Sequence, residues 1–199
     1  MVDNFEQIGN LLSFDSNDEF YFLQILQRKK DNPSGYLGSN NSSRLIKAYY
    51  IKSVEQLFKQ KDEMIKLAEV FNARVGINLN KRSYYKTSFN TLKNVAELMH
   101  NKAFTKIHRA WNTACGVHNG GDRIWLLDFD YIPTNPDWYI NTKGYLYGQQ
   151  PITKDKVLAF IPSKNGVHVI TTAFDTRQFS IDYPDIEIHK NNPVNLYIP

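Results

Sequence analysis

The chain holds 199 residues, 42% hydrophobic and 22% charged, the proportions of an ordinary globular protein long enough for one substantial core. Its net charge is +4, no apolar run reaches the roughly 18 residues that a membrane span needs, and a single cysteine, Cys115, excludes an internal disulfide. The polar start MVDNFEQIGN resembles neither a secretory signal nor a transit peptide, so a reducing, cytoplasmic setting without membrane contact is expected.

In chain order, the segment around 17–30 is expected to be helical, and DNPSGYLGSNNSS (31–43) is a loop rich in Gly, Ser, Asn and Pro. RLIKAYYI (44–51) reads as a strand. SVEQLFKQKDEMIKLAEVF (53–71) opens with a capping box, Ser53 with Gln56, and continues with apolar residues at helical spacing. ARVGINLN (73–80) alternates with period two and is expected to be a strand. Residues 87–114 return to helical spacing, with Phe89, Leu92, Val95, Ala96, Met99 and Ala103 on one face. Charge follows this division: residues 52–109 carry 12 Lys/Arg against 5 Asp/Glu, and the remainder 12 against 15. Such segregation suits one surface for polyphosphate and another for metal, and suits equally a solvated, lysine-rich helix face.

After the glycine-rich turn GVHNGGD (116–122) the character changes. RIWLLDFDYI (123–132), VLAFIPS (157–163), GVHVITTAF (166–174) and IEIHKNNPVNLYIP (186–199) read as strands, with PSKNG (162–166) as a hairpin turn. The expected fold class is therefore α+β: an α/β lobe over about 1–119, then a mostly antiparallel sheet with at most short helices over about 120–199.

The chemistry concentrates in the second lobe. Asp128 and Asp130 interrupt an apolar strand, where a lone carboxylate is costly. At i and i+2 they project from one face about 7 Å apart, close enough to hold one or two divalent cations. The hairpin that follows carries Ser163 and Lys164 in its turn and His168 on its returning strand. A hydroxyl, an ammonium, an imidazole and exposed turn amides suit phosphate oxygens. Asp185 and Glu187 form a second acidic pair in YPDIEIHK (183–190).

This order resembles the archaeo-eukaryotic primase superfamily, the primase-polymerases. LLDFD (126–130), GVH (166–168) and IE (186–187) match its three motifs, in which two aspartates end an apolar strand, a small residue precedes x-His, and an apolar residue precedes an acid. The resemblance implies an N-terminal α/β module, a module like an RNA-recognition motif, and an active site between them. It implies that Asp128, Asp130 and Glu187 hold Mg²⁺ or Mn²⁺, with Asp185 as the alternative third acid. Ser163, Lys164 and His168 would bind a nucleoside triphosphate. The implied activity is template-directed nucleotidyl transfer by a minimal primase or polymerase core, in replication of a phage or mobile element. Its partners would be single-stranded or primed nucleic acid and a helicase or accessory subunit. A non-catalytic RNA-recognition-like module and a metal-dependent nuclease are the alternatives.

Two further groups stand apart from those motifs. Lys81, Arg82 and Tyr84 interleave basic and aromatic side chains in the way that grips single strands. His108, Cys115 and His118 offer zinc donors but lack a fourth ligand.

Overall fold

The computed structural model describes residues 1–38, 41–117, 120–121, 123–132 and 134–199. It is a mixed α+β chain with two antiparallel sheets. In order come β1 (Val2–Asp3), α1 (Phe5–Gly9), β2 (Glu19–Arg28), β3 (Ser43–Ile51), α2 (Val54–Lys59), α3 (Lys61–Val70), β4 (Arg74–Ile77), β5 (Arg82–Ser83), α4 (Tyr84–His100) and α5 (Ala110–Gly116). They are followed by β6 (Ile124–Phe129), α6 (Trp138–Gly148), β7 (Val157–Pro162), β8 (Val167–Thr172), α7 (Thr176–Asp182), β9 (Glu187–His189) and β10 (Val194–Ile198). The first sheet runs β1-β10-β4-β2-β3, with β5 added to β2; the second runs β7-β8-β6-β9.

Several local expectations are corrected. The segment around 17–30 is the strand β2, hydrogen-bonded to β3 on one side and β4 on the other. A central strand buried on both faces, here with Phe20, Phe22, Leu23 and Ile25 all at 1% exposure or less, loses the two-residue alternation that marks a strand in sequence. The 53–71 helix forms with its Ser53 cap, the hydroxyl accepting from Gln56 N, but is broken at Gln60. The long third helix divides into α4, a 3₁₀ turn over Phe104–Arg109, and α5. Lys102, with φ at 55°, sits in the intervening bend. The α6 sequence WYINTKGYLYG is too rich in aromatics and glycine for helix propensity to reveal it, and its 11 residues exceed the short helices expected there.

The last strand supplies the largest correction. Residues 123–199 do not make one sheet: β10 leaves β9 behind and inserts between β1 and β4 of the first sheet. Burial explains the crossing, because Val194, Leu196 and Tyr197 enter the core formed by Leu23, Val75 and Ile77.

That core also fixes how the sheets face each other. Leu126, Ile161 and Ile170 of the second sheet pack into it, so one face of the second sheet turns toward the first. The opposite face carries Leu127, Phe129, Val167 and Val169, covered by Leu146 of α6 and Phe179 of α7. Polar clips reinforce the join. Asn80, just beyond β4, accepts from Ile124 N at 2.7 Å and donates to Ile124 O at 2.9 Å, as a neighbouring strand would. Asn4 donates to Pro162 O and Asn195 O, tying β7 to β10. No helix among the described residues is long and apolar enough to cross a membrane.

Candidate active site

Alternation along β6 decides which way its carboxylates point. Leu127 and Phe129 face α6 and α7, so Leu126 and Asp128 face the first sheet. Asp128 stands opposite His168 on β8 and, on its other side, opposite Glu187 on β9. The three side chains thus form one row across the sheet. His168 Nε2 lies 3.4 Å from Asp128 Oδ1. Asp130 follows one residue past the end of β6 and is exposed.

The row lines a cavity of about 900 Å³ between the two sheets. Asp128, Asp130, Glu187, Ser163, Lys164 and His168 all reach it. Asp185 does not: it is exposed in the turn before β9, outside the cavity lining. The strand position of Glu187 and the turn position of Asp185 follow from their distance to Pro184, which cannot continue a ladder.

The expected β7–β8 turn forms, with Ser163 N donating to Gly166 O at 2.9 Å and Gly166 N donating to Ser163 Oγ at 3.1 Å. Gly166 is required there for space and not for a left-handed backbone, since none of the described glycines has positive φ. A β-carbon at Gly166 would stand 1.9 Å from Phe129 O. The turn therefore rests against the backbone that carries Asp130, and this contact sets Ser163 and Lys164 beside the acids.

Electrostatics divide the cavity into two walls. Burial drives the proton off His168 more strongly than the neighbouring Asp128 carboxylate holds it, so its pKa lies below the usual imidazole value. The ring is neutral at physiological pH, and its buried Nδ1 has no hydrogen-bond partner among the described residues. Opposite stand Arg28 and Arg74 from the first sheet, with Lys29 and Lys30 in the 3₁₀ turn just past β2, none of which the motifs singled out. Arg74 makes a bidentate pair with Asp31 at 2.7 and 2.8 Å, and Lys164 reaches the same carboxylate at 3.5 Å from the second sheet. Burial alone would raise the Asp31 carboxyl, but the hydrogen-bonded Arg74, with Lys164 and Arg28, outweighs it and holds the group below its ordinary value.

His189, also absent from the sequence motifs, lies between two acids. Its Nε2 is 3.2 Å from Glu187 Oε2 and 4.0 Å from Asp128 Oδ2, so both carboxylates converge on one point. Among the described residues no cluster of three or more His, Cys, Asp or Glu stands gathered as a metal site. The donor set nonetheless fits a hard divalent cation in kind: two convergent carboxylates, with Asp130 on the same cavity wall.

The basic-aromatic group serves a structural purpose. Arg82 is fully buried and donates to Cys115 O, Asn80 O and Asn191 Oδ1. Lys81, 7% exposed, reaches Asp15 at 2.7 Å and Glu19 at 3.1 Å. Tyr84 packs with Phe20 and Trp111. Of the three residues expected to grip nucleic acid, Lys81 and Arg82 have polar atoms turned to partners within the protein, and Tyr84 is a half-buried ring beside the core. Cys115 is also buried, which pushes its thiol up to about 12. His118, the third proposed zinc donor, lies outside the described residues. No family model, curated protein or solved structure matches this chain.

Proposed function

We propose that the cavity carries out template-directed nucleotidyl transfer, with Asp128, Asp130 and Glu187 holding Mg²⁺ or Mn²⁺. The observation that carries this is the row itself: Asp128 is the direct cross-strand partner of both His168 and Glu187. The three sequence motifs, 40 and 19 residues apart along the chain from 128 to 168 to 187, meet at one place. Support for an RNA-recognition-like module comes from the second sheet. Its β6-α6-β7-β8-α7-β9 succession and β7-β8-β6-β9 order are those of a split βαβ fold.

In this proposal Asp128, Asp130 and Glu187 would hold the divalent cation, which would supply charge stabilisation for a phosphoryl group in transfer. The chain's own residues do the rest. Ser163, Lys164 and the neutral His168 orient the triphosphate from one wall, and Arg28 and Arg74 face it from the other. A neutral imidazole offers one N–H and one acceptor, so it can bind a phosphate oxygen without becoming a fixed counter-ion for Asp128. Nucleic acid would enter along the lysine-bearing rim at Lys29 and Lys30.

Two substitutions decide which acid completes the set. In a primer-extension assay with Mn²⁺, Glu187→Gln is expected to remove about 90% or more of the rate, because a neutral amide gives up the charge that the metal requires. Asp185→Asn, outside the cavity, is expected to stay within about twofold of wild type. The reverse order would transfer the role to Asp185. A wild type inert on every template and triphosphate would sink the proposal.

A further inference from the structure

Behind the cavity wall, Asp31 joins two side chains that come from different sheets. Arg74 of β4 meets its carboxylate through Nε at 2.7 Å and Nη2 at 2.8 Å, and Lys164 of the β7–β8 turn approaches to 3.5 Å. Arg74 and Lys164 both line the cavity, whereas Asp31 does not. The two arms differ. The Arg74 side chain is 13% exposed and held side-on, which leaves Nη1 outside the pair. The Lys164 side chain is 52% exposed, and Asp31 is its only ion-pair partner among the described residues. Asp31 itself cannot follow either arm. Asn32 Nδ2 donates to Arg28 O at 3.0 Å and to Asn72 O at 2.9 Å, and Asn72 Nδ2 donates to Asp31 O at 3.1 Å. These amides fasten the 3₁₀ turn after β2 to the turn before β4, so the carboxylate is a fixed charge.

We propose that Asp31 is the site's internal competitor for pyrophosphate, the product of nucleotidyl transfer, an inference that rests on the reading of the cavity as a triphosphate site. In that reaction a hydroxyl oxygen bonds the α-phosphorus and its proton passes to solvent. The α–β bridging bond breaks and leaves pyrophosphate beside Lys164 and Arg74. A wall of uncompensated cations would retain that polyanion. Asp31 cancels one of the two positive charges that Arg74 and Lys164 bring, and its carboxylate, directly behind them, repels each phosphate. When an anion is seated, Lys164 swings to it, since its link to Asp31 is exposed, long and weak. When the anion leaves, Asp31 takes Lys164 back. Arg74 stays clamped throughout, because a bidentate and largely buried pair is costly to open. Asp31 is thus a positioning residue that acts through Lys164 and Arg74. A carboxylate that merely braced the wall would have the opposite effect: its loss would loosen the clamp and weaken anion binding. Loss of a competitor tightens it.

Calorimetric titration of the whole chain with inorganic pyrophosphate, at low salt and with EDTA present, measures this without metal. Asp31→Asn is expected to bind pyrophosphate about tenfold or more tightly than wild type, since a like charge beside a polyanion is removed. Asp31→Glu keeps the charge and should stay within about threefold of wild type. Adding Lys164→Gln to Asp31→Asn should cancel most of the gain. If Asp31→Asn does not fold, Arg74→Gln is compared with the double variant Arg74→Gln, Asp31→Asn, which leaves neither charge of the buried pair unanswered. The double variant should then bind about threefold or more tightly than Arg74→Gln alone. Weaker or unchanged binding in Asp31→Asn, or an Asp31→Glu that behaves like it, overturns the inference and leaves Asp31 a structural brace. Pyrophosphate binding by none of the variants overturns it too. In either case, binding of a nucleoside triphosphate with Mn²⁺ shows that the reading of the cavity survives, and its absence shows that both fall.

Discussion

Asp128→Asn is expected to lower metal-dependent nucleotide incorporation by roughly a thousandfold or more, since loss of a central metal ligand forfeits several kcal/mol of transition-state stabilisation. The shape of the side chain is kept, so the effect isolates charge. Asp128 lies on the middle strand of its sheet, with His168 on one side and Glu187 on the other, and no neighbouring acid can take its place without moving a strand. The fold should be indifferent. Asp128 is part-exposed and its nearest contacts are imidazoles, one of them held neutral by burial. Its Tm in metal-free buffer should therefore stay within about 2 °C of wild type, whereas the gain that Mn²⁺ gives the wild type should vanish. Equal stabilisation of both proteins by Mn²⁺ would place the metal elsewhere.

Gly166→Ala has the second-largest expected effect and acts through the backbone. The added methyl would meet Phe129 O at 1.9 Å, with Asp130 C and Tyr131 N at 2.7 Å. Backbone atoms cannot swing aside as a side chain can, so either the Ser163–Gly166 turn or the end of β6 must shift. Overpacking of this kind costs about 1–3 kcal/mol, a fall in Tm of roughly 2–12 °C for a chain of this size. Triphosphate binding should fall further than stability does, because the displaced atoms carry Asp130, Ser163 and Lys164. Gly35→Ala is the control: a β-carbon there meets nothing within 4 Å. Differential scanning fluorimetry of both variants, with and without nucleotide, measures the contrast; equal melting and equal nucleotide response would remove the steric argument.

The legible part of the site was the part with local chemistry. Carboxylates in an apolar run and a His two residues after a turn glycine are conspicuous in sequence, and period-two alternation alone puts Asp128 opposite the helix-covered face. What escaped was set by distance. Arg28, Arg74 and His189 look like ordinary polar residues, and only sheet pairing brings them to the cavity. The internal partners of Lys81 and Arg82 were hidden for the same reason: Asp15, Glu19 and Asn191 lie far away in the chain. The strand β2 was hidden by burial on both faces. The destination of β10 was hidden because a five-residue apolar strand carries no mark of which sheet it will join. On α4 the helical period was correct, but period does not tell an outward face from an inward one.

The central claim is that this cavity binds metal and nucleoside triphosphate together, and calorimetric titration with Mn²⁺ and a non-hydrolysable nucleoside triphosphate measures that directly. The wild type is expected to bind both, each strengthening the other, with metal binding lost in Asp128→Asn and triphosphate binding weakened in His168→Ala. Binding of neither ligand would contradict the claim and leave a non-catalytic module, and binding of metal without triphosphate would contradict it in favour of a nuclease.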